Sequence, residues 1–221
     1  MKEITTKELF DLSNTIAEPI LSKTTYPWEA LSMIKDFILE IGKTLSRDEY
    51  DEISPSVWIA KDATVAESAK INPPCIIGKG AEIRQCAFIR GSAIVGDGAV
   101  VGNSCELKNC ILFNKVQVPH FNYVGDSILG FKSHMGAGAI TSNVKSDKTL
   151  VSTCAGGEKI HTGLKKMGAI LGDNVEVGCN SVLNPGTVIG KNSNIYPLSF
   201  VRGFVPANHI FKSPDNIVLK N

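Results

Sequence analysis

From residue 59 an aliphatic or aromatic residue falls every six positions: Ile59, Val65, Ile71, Ile77, Ile83, Ile89, Val95, Val101, Leu107 and Phe113. The series slips by one residue to Val118, continues to Val124, and slips again to Leu129 and Met135. After an interruption it resumes at Leu171, Val177, Leu183, Ile189, Ile195 and Val201. A period of six is neither helical nor a simple strand alternation. It fits a prism-shaped solenoid in which each six-residue unit is a short flat strand plus a turn, and three units make one coil. The aliphatic points inward. Small residues four places later (Ala63, Ala69, Cys75, Ala81, Ala87, Ala93, Ala99, Cys105) fill the crowded corners. Glycine often follows the aliphatic directly, as at Gly78, Gly96, Gly102, Gly125 and Gly172, and supplies turn conformations.

This pattern resembles the hexapeptide-repeat family. The resemblance implies a mainly β fold, a left-handed parallel β-helix, whose handedness is an exception to the right-handed crossover rule. It also implies a homotrimer with active sites between adjacent prisms.

The chain divides into a helical arm (1–50) and the β-helix (51–221), with an inserted loop at 143–168 and a short C-terminal tail. In the arm, Thr5 and Glu8 have capping-box spacing, and Pro27 suits the first turn of a second helix. Trp28, Leu31, Ile34, Ile38, Ile41 and Leu45 then share one face at helical spacing. The arm is expected to dock on the prism or on a neighbouring subunit. Residues 46–56 (SRDEYDEISPS) read as a polar linker. The 143–168 segment breaks the period and carries Lys145, Lys148, Lys159, Lys165 and Lys166, with Gly156 and Gly157 as hinges. An insertion of this length in a compact solenoid is usually functional or disordered. A solvated surface loop is the alternative; a binding role is expected because the segment follows directly on the densest cluster of polar candidates.

Charge narrows the function. Lys+Arg number 23 and Asp+Glu 22, a net +1 that lacks the broad positive field of a nucleic-acid binder. No apolar run is long enough to span a bilayer, and the first residues carry no signal-peptide segment, so a cytoplasmic chain without membrane contact is expected. The six cysteines form no CxxC pair and no zinc-site spacing; no metal is expected, and the thiols read as small buried residues in a reducing compartment.

Coil arithmetic places Arg90 and Lys108 on successive rungs, at roughly 4.8 Å. Like charges in register repel. They are tolerated if both splay into water and favoured if an anion sits between them. VPHFNYVGDS (118–127) puts His120 and Tyr123 in one turn where the repeat slips. Such a histidine is either a base near neutral pH or a structural residue.

HFNYVGDSILG, MGAGAITSN and the KKMGAILG that closes the lysine-bearing loop resemble the acetyltransferase domain of bifunctional sugar-1-phosphate nucleotidylyltransferase/acetyltransferases, in particular the archaeal type. The resemblance covers roughly residues 57–205. It implies an acetyl-CoA-dependent N-acetyltransferase acting on an amino-sugar 1-phosphate in UDP-N-acetylglucosamine-type biosynthesis. By position, His120 matches the general base, and Asn143 a sugar-contacting and orienting residue. Tyr123, Arg90 and Lys108 match phosphate contacts, and Lys148 a rim lysine. Cys179 and Pro197 line the acetyl-CoA groove, and Lys165 and Lys166 are assigned to the cofactor. His134 stands where bacterial members carry a sugar-contacting asparagine, and Cys179 where they carry a serine. No Gly-rich phosphate loop opens this chain, so no uridylyltransferase activity is expected, and a separate nucleotidylyltransferase is a possible partner. A non-catalytic trimeric scaffold or sugar-nucleotide sensor is the alternative. A metal-dependent hydratase of the γ-carbonic-anhydrase type is disfavoured, because His120, His134, His161 and His209 lack its spacing.

Overall fold

The computed structural model describes residues 2–220. It is mainly β, a parallel β-solenoid of about nine turns with short helices near the N-terminus. Three ladders form the faces of a prism. The first begins at Val57–Ala60, Cys75–Ile77 and Ala93–Val95 and ends at Thr187–Ile189 and Phe204–Val205. The second runs from Thr64–Val65 through Gln117–His120 and His134–Met135 to His209–Ser213. The third runs from Lys70–Ile71 and Phe88–Ile89 to Val182–Leu183 and Phe200–Val201. Two long strands, Glu106–Leu112 and Tyr123–Leu129, bend around the corner from the third face to the first. Asn109 and Asp126 make that bend at φ 48°, left-handed backbone that short polar side chains tolerate.

The predicted inward residues are buried from Ile77 to Val201, with one correction. Leu112, not Phe113, pairs with Val95 and Leu129, so the first slip falls between Leu107 and Leu112, and Phe113 stacks instead on Phe10 of the arm. Val65 departs from the expectation and is exposed, because its strand is the free edge of the second face. The two slips are coils shortened to seventeen residues, as in Lys108 paired with Gly125.

The outward residues of the first face are also aliphatic. Ile76, Ile94, Ile111, Ile128, Ile170 and Val188 stack in register and are buried. Triplets such as CII, AIV and CIL are thus apolar on both sides, the signature of a sheet covered twice. Beneath the arm Trp28, Leu31, Ile34 and Ile38 are buried, and helix Ile34–Ile41 packs on this face. Polar pins fix its placement: the Asp11 N–H donates to Asp173 Oδ2 at 2.7 Å, and the Asn114 N–H donates to the Asn14 carbonyl at 3.0 Å.

Several local expectations are corrected. The Thr5 hydroxyl donates to the Lys2 carbonyl and caps no helix; helix Thr6–Leu9 is one turn. The capping carboxylate is Glu29, whose Oε2 accepts from the Thr25 and Tyr26 N–H groups ahead of the 3-10 helix Pro27–Ser32. The supposed linker holds strand Tyr50–Ser54, antiparallel to Val57–Ala60. An edge strand needs backbone partners and not apolar side chains, so its polar composition concealed it. The C-terminal tail does the same at the other end, where Asn216–Leu219 pairs antiparallel with His209–Ser213. The inserted loop contains a hairpin, Ser152–Ala155 with Glu158–His161. Of the cysteines, Cys75, Cys105 and Cys110 are buried as expected; Cys86, Cys154 and Cys179 are exposed. Burial pushes the Cys75 and Cys110 thiols far up, so both stay neutral. No helix among the described residues is long and apolar enough to cross a membrane.

Candidate active site

Asp126 organises the site. Its bend turns the carboxylate back against the preceding rung, where it is 4% exposed. Lys108 Nζ donates to both of its oxygens at 3.1 and 3.0 Å, Asn109 Nδ2 donates at 3.0 Å, and the Asn143 amide donates to Oδ2. Buried charges persist where they are paired and hydrogen-bonded, and this one has three donors. The same Asn143 amide donates to Tyr123 Oη at 3.2 Å. Burial, and after it the charge of Asp126, raises the Tyr123 hydroxyl above its ordinary range, with the Asn143 bond opposing, so the phenol holds its proton.

The local sequence explains why the phenol lies there. Tyr123 starts its strand and the ring runs along the outer surface to Gly125, where a Cβ would sit 2.4 Å from the hydroxyl. The Gly125 backbone is held from within: its N–H donates to Thr141 Oγ1 at 2.9 Å, and its carbonyl accepts from Ser127 Oγ at 2.7 Å. The end of the insertion closes the cluster. Met167 N–H donates to the Asn143 carbonyl and Gly168 N–H to the Asp126 carbonyl, at 3.0 and 2.8 Å.

Arg90 and Lys108 are stacked on adjacent rungs, as the coil arithmetic requires. Each has its own anion. Arg90 Nη1 donates to Glu106 Oε1 at 2.7 Å, and Lys108 pairs with Asp126 at 3.0 Å. The like-charge repulsion is relieved within the chain. The Glu106 hydrogen bond is also the main reason the Arg90 guanidinium is held even more firmly charged.

His120 lies at the neighbouring corner, at the end of the second face. Its side chain is exposed. Its N–H donates to Asn122 Oδ1 at 3.1 Å, and the buried Asn122 amide donates to the Gly136 and Ala139 carbonyls at 2.8 and 2.9 Å. This lock fixes the His120–Tyr123 turn with Phe121 in left-handed backbone at φ 53°. The register carries His120 to Ala137, then Cys179, then Pro197 along one corner. Cys179 is thus two rungs from the imidazole, roughly 10 Å. The rung between is Gly136-Ala137-Gly138, where the Asn180 side chain packs against Gly138 and the Cys179 thiol against Gly136.

The remaining sequence candidates form no side-chain hydrogen bond with Asp126 or Tyr123 among the described residues. His134 is on the second face with Nδ1 2.8 Å from Glu176 Oε2, separate from the Tyr123 cluster. Lys148 is exposed in the inserted loop. Lys165 and Lys166 are exposed, just ahead of the Met167 bond that closes the cluster. Sequence reasoning missed Asp126, Asn109, Glu106 and Gly125. A signal existed: once the slip is counted, Asp126 falls directly beneath Asn109 on the corner after Lys108.

Residues 87–210 match the family described as GMPPB C-terminal domain. The bifunctional protein GlmU of Methanococcus maripaludis (strain DSM 14266) is 36% identical over 198 residues, covering 88% of this chain and 48% of that protein. GlmU of Methanococcus maripaludis strain C5 is 42% identical over 95 residues, 43% of this chain and 23% of that one. The bifunctional sugar-1-phosphate nucleotidylyltransferase/acetyltransferase of Sulfurisphaera tokodaii is 34% identical over 112 residues, 51% of this chain and 28% of that one. The chain spans less than half the length of these curated relatives.

Proposed function

Because the chain belongs to the GMPPB C-terminal domain family, and one curated relative bears the name of a sugar-1-phosphate nucleotidylyltransferase/acetyltransferase, we propose that it is an acetyl-CoA-dependent N-acetyltransferase of an amino-sugar 1-phosphate. One observation carries the reading. An exposed imidazole, His120, stands in register above Ala137, Cys179 and Pro197, and the adjoining face presents a protonated phenol, an amide and two cations.

In this reading the His120 imidazole takes the proton of the sugar amine as the nitrogen lone pair forms a bond to the thioester carbonyl carbon. The carbon–sulfur bond then breaks, and the leaving thiolate receives the proton from the imidazolium. Asn143 and Tyr123 orient the sugar. Arg90 and Lys108 hold its phosphate with the donors left free: Glu106 engages one of the five guanidinium N–H groups, and Asp126 accepts from Lys108 through both oxygens. Cys179 and Pro197 line the acetyl-CoA groove, with Lys165 and Lys166 near its phosphates. Lys148, five residues past Asn143 in the inserted loop, is the rim lysine. His134, paired with Glu176 on the second face, contributes to the cluster from a neighbouring protomer of a cytoplasmic homotrimer.

The test is thiol release from acetyl-CoA with glucosamine-1-phosphate or galactosamine-1-phosphate. Turnover is expected with one of them and is lost in His120→Ala, whose exposed side chain leaves the fold intact. No release with either sugar, or full release by His120→Ala, overturns the reading. The non-catalytic scaffold has its own support, since carboxylates of the same chain already neutralise both cations. A scaffold need not bind acetyl-CoA, so calorimetric titration with it separates the two.

A further inference from the structure

Beyond the Tyr123 cluster, the corner between the third and first faces continues through Ser142, Asn184 and Arg202, each directly after an inward residue of a paired rung. The insertion leaves the prism at this corner and folds back over it as the Ser152–Ala155 and Glu158–His161 hairpin. Between hairpin and corner lies a cleft of about 470 Å³. Lys145, Lys159 and Arg202 line it together with one carboxylate, Asp147, the serines Ser142, Ser146 and Ser152, and the exposed Cys154.

The charge in this cleft is not balanced. Lys145 pairs with Asp147 at 3.2 Å. Among the described residues, neither Lys159 nor Arg202 forms a salt bridge with a carboxylate, unlike Arg90 and Lys108. Two uncompensated positive charges therefore face one concavity from opposite sides, Arg202 from the rigid prism and Lys159 from the hairpin. A phosphomonoester carries close to two negative charges at neutral pH, and guanidinium and hydroxyl groups supply the donors its oxygens accept. No aromatic side chain lines the cleft, so nothing there stacks a base or a sugar ring.

We propose that this cleft is a second phosphate site, distinct from the Tyr123 cluster, which takes a phosphomonoester dianion through Arg202, Lys159 and Lys145. Its Ser142 end adjoins Asn143 of that cluster and is two backbone rungs from Lys108, roughly 10 Å along the corner; the two sites use different cations. The inserted hairpin thereby acquires a role: it brings the second cation to a prism that offers only one.

Cys154 reports occupancy without any need for turnover. The full chain is alkylated with iodoacetamide and the rate at each exposed cysteine is read by peptide mass spectrometry, in inorganic phosphate or in chloride of equal ionic strength. Phosphate is expected to slow Cys154 at least threefold and saturably, leave Cys86 unchanged, and lose this effect in Arg202→Gln and in Lys159→Gln. Both replaced side chains are exposed, so the fold is retained. Glucosamine-1-phosphate, acetyl-coenzyme A and 3′-dephospho-acetyl-coenzyme A, the last two with sulfur blocked against iodoacetamide, then distinguish a sugar phosphate from a nucleotide 3′-phosphate as the source. An unchanged Cys154 rate, equal slowing of Cys86, or protection that survives both substitutions overturns the proposal. These outcomes are independent of whether acetyl transfer occurs.

Discussion

Asp126→Asn removes one charge and no volume from the centre of the cluster. In the wild type the carboxylate is an acceptor only, facing the Lys108 ammonium and the amides of Asn109 and Asn143. An asparagine offers one acceptor oxygen and an NH2 group, so at least one donor must face another donor. A hydrogen bond to a charged group contributes ~1.5–3 kcal/mol, and a buried donor left without a partner costs ~1–3 kcal/mol more. Lys108 is 25% exposed and can turn partly to water, which trims the sum to ~2–4 kcal/mol. Urea unfolding at fixed protein concentration should show that loss as a lower midpoint with unchanged slope. Lys108→Met, made in both backgrounds, should then give a coupling of ~1 kcal/mol or more between the two positions. A loss below ~0.5 kcal/mol, or no coupling, would refute the view that this carboxylate holds the site together.

Gly125→Ala should displace the Tyr123 phenol, because the new methyl would lie 2.4 Å from its oxygen; binding of the sugar phosphate should weaken by roughly tenfold, from the loss of one polar contact, while the chain stays folded by circular dichroism. Tyr50 is buried, and desolvation followed by the charges of Asp97, Glu49 and Asp62 pushes its hydroxyl to about 12. Below the ordinary value of 10 both states keep the proton, and between that and about 12 only the unfolded chain ionises, so stability falls as pH rises through this window. Urea midpoints of wild type and Tyr50→Phe should therefore diverge above pH 10, by roughly 1–3 kcal/mol at pH 12; parallel curves would remove the cause.

Much of the site was legible once the coil length was known. Register alone stacks Arg90 on Lys108, and it places His120, Cys179 and Pro197 on one column. Neither the pairing of Arg90 with Glu106 nor that of Lys108 with Asp126 follows from spacing, because the shortened coil and the left-handed bends at Asn109 and Asp126 decide where a long side chain can reach. Cys86 and Cys179 failed the burial expectation because they sit at outward corners of the coil, and Cys154 because it lies on the exposed side of the inserted hairpin. The arm announced itself twice, in its own apolar face and in the doubly apolar triplets of the first face, and only the second of these says where it docks.

A six-residue aliphatic period admits almost no fold but a triangular coil, since the inward position must be apolar on every rung and a misplaced unit would turn a polar side chain into the core. That constraint is local and repeats, so it is written openly in the chain. Charge compensation, the capping strands and the cleft under the hairpin depend on residues that meet only after the coil has wound, across separations such as the forty-two residues between Ile128 and Ile170. There the energies belong to particular geometries and not to residue type, and folding alone settles which anion faces which cation.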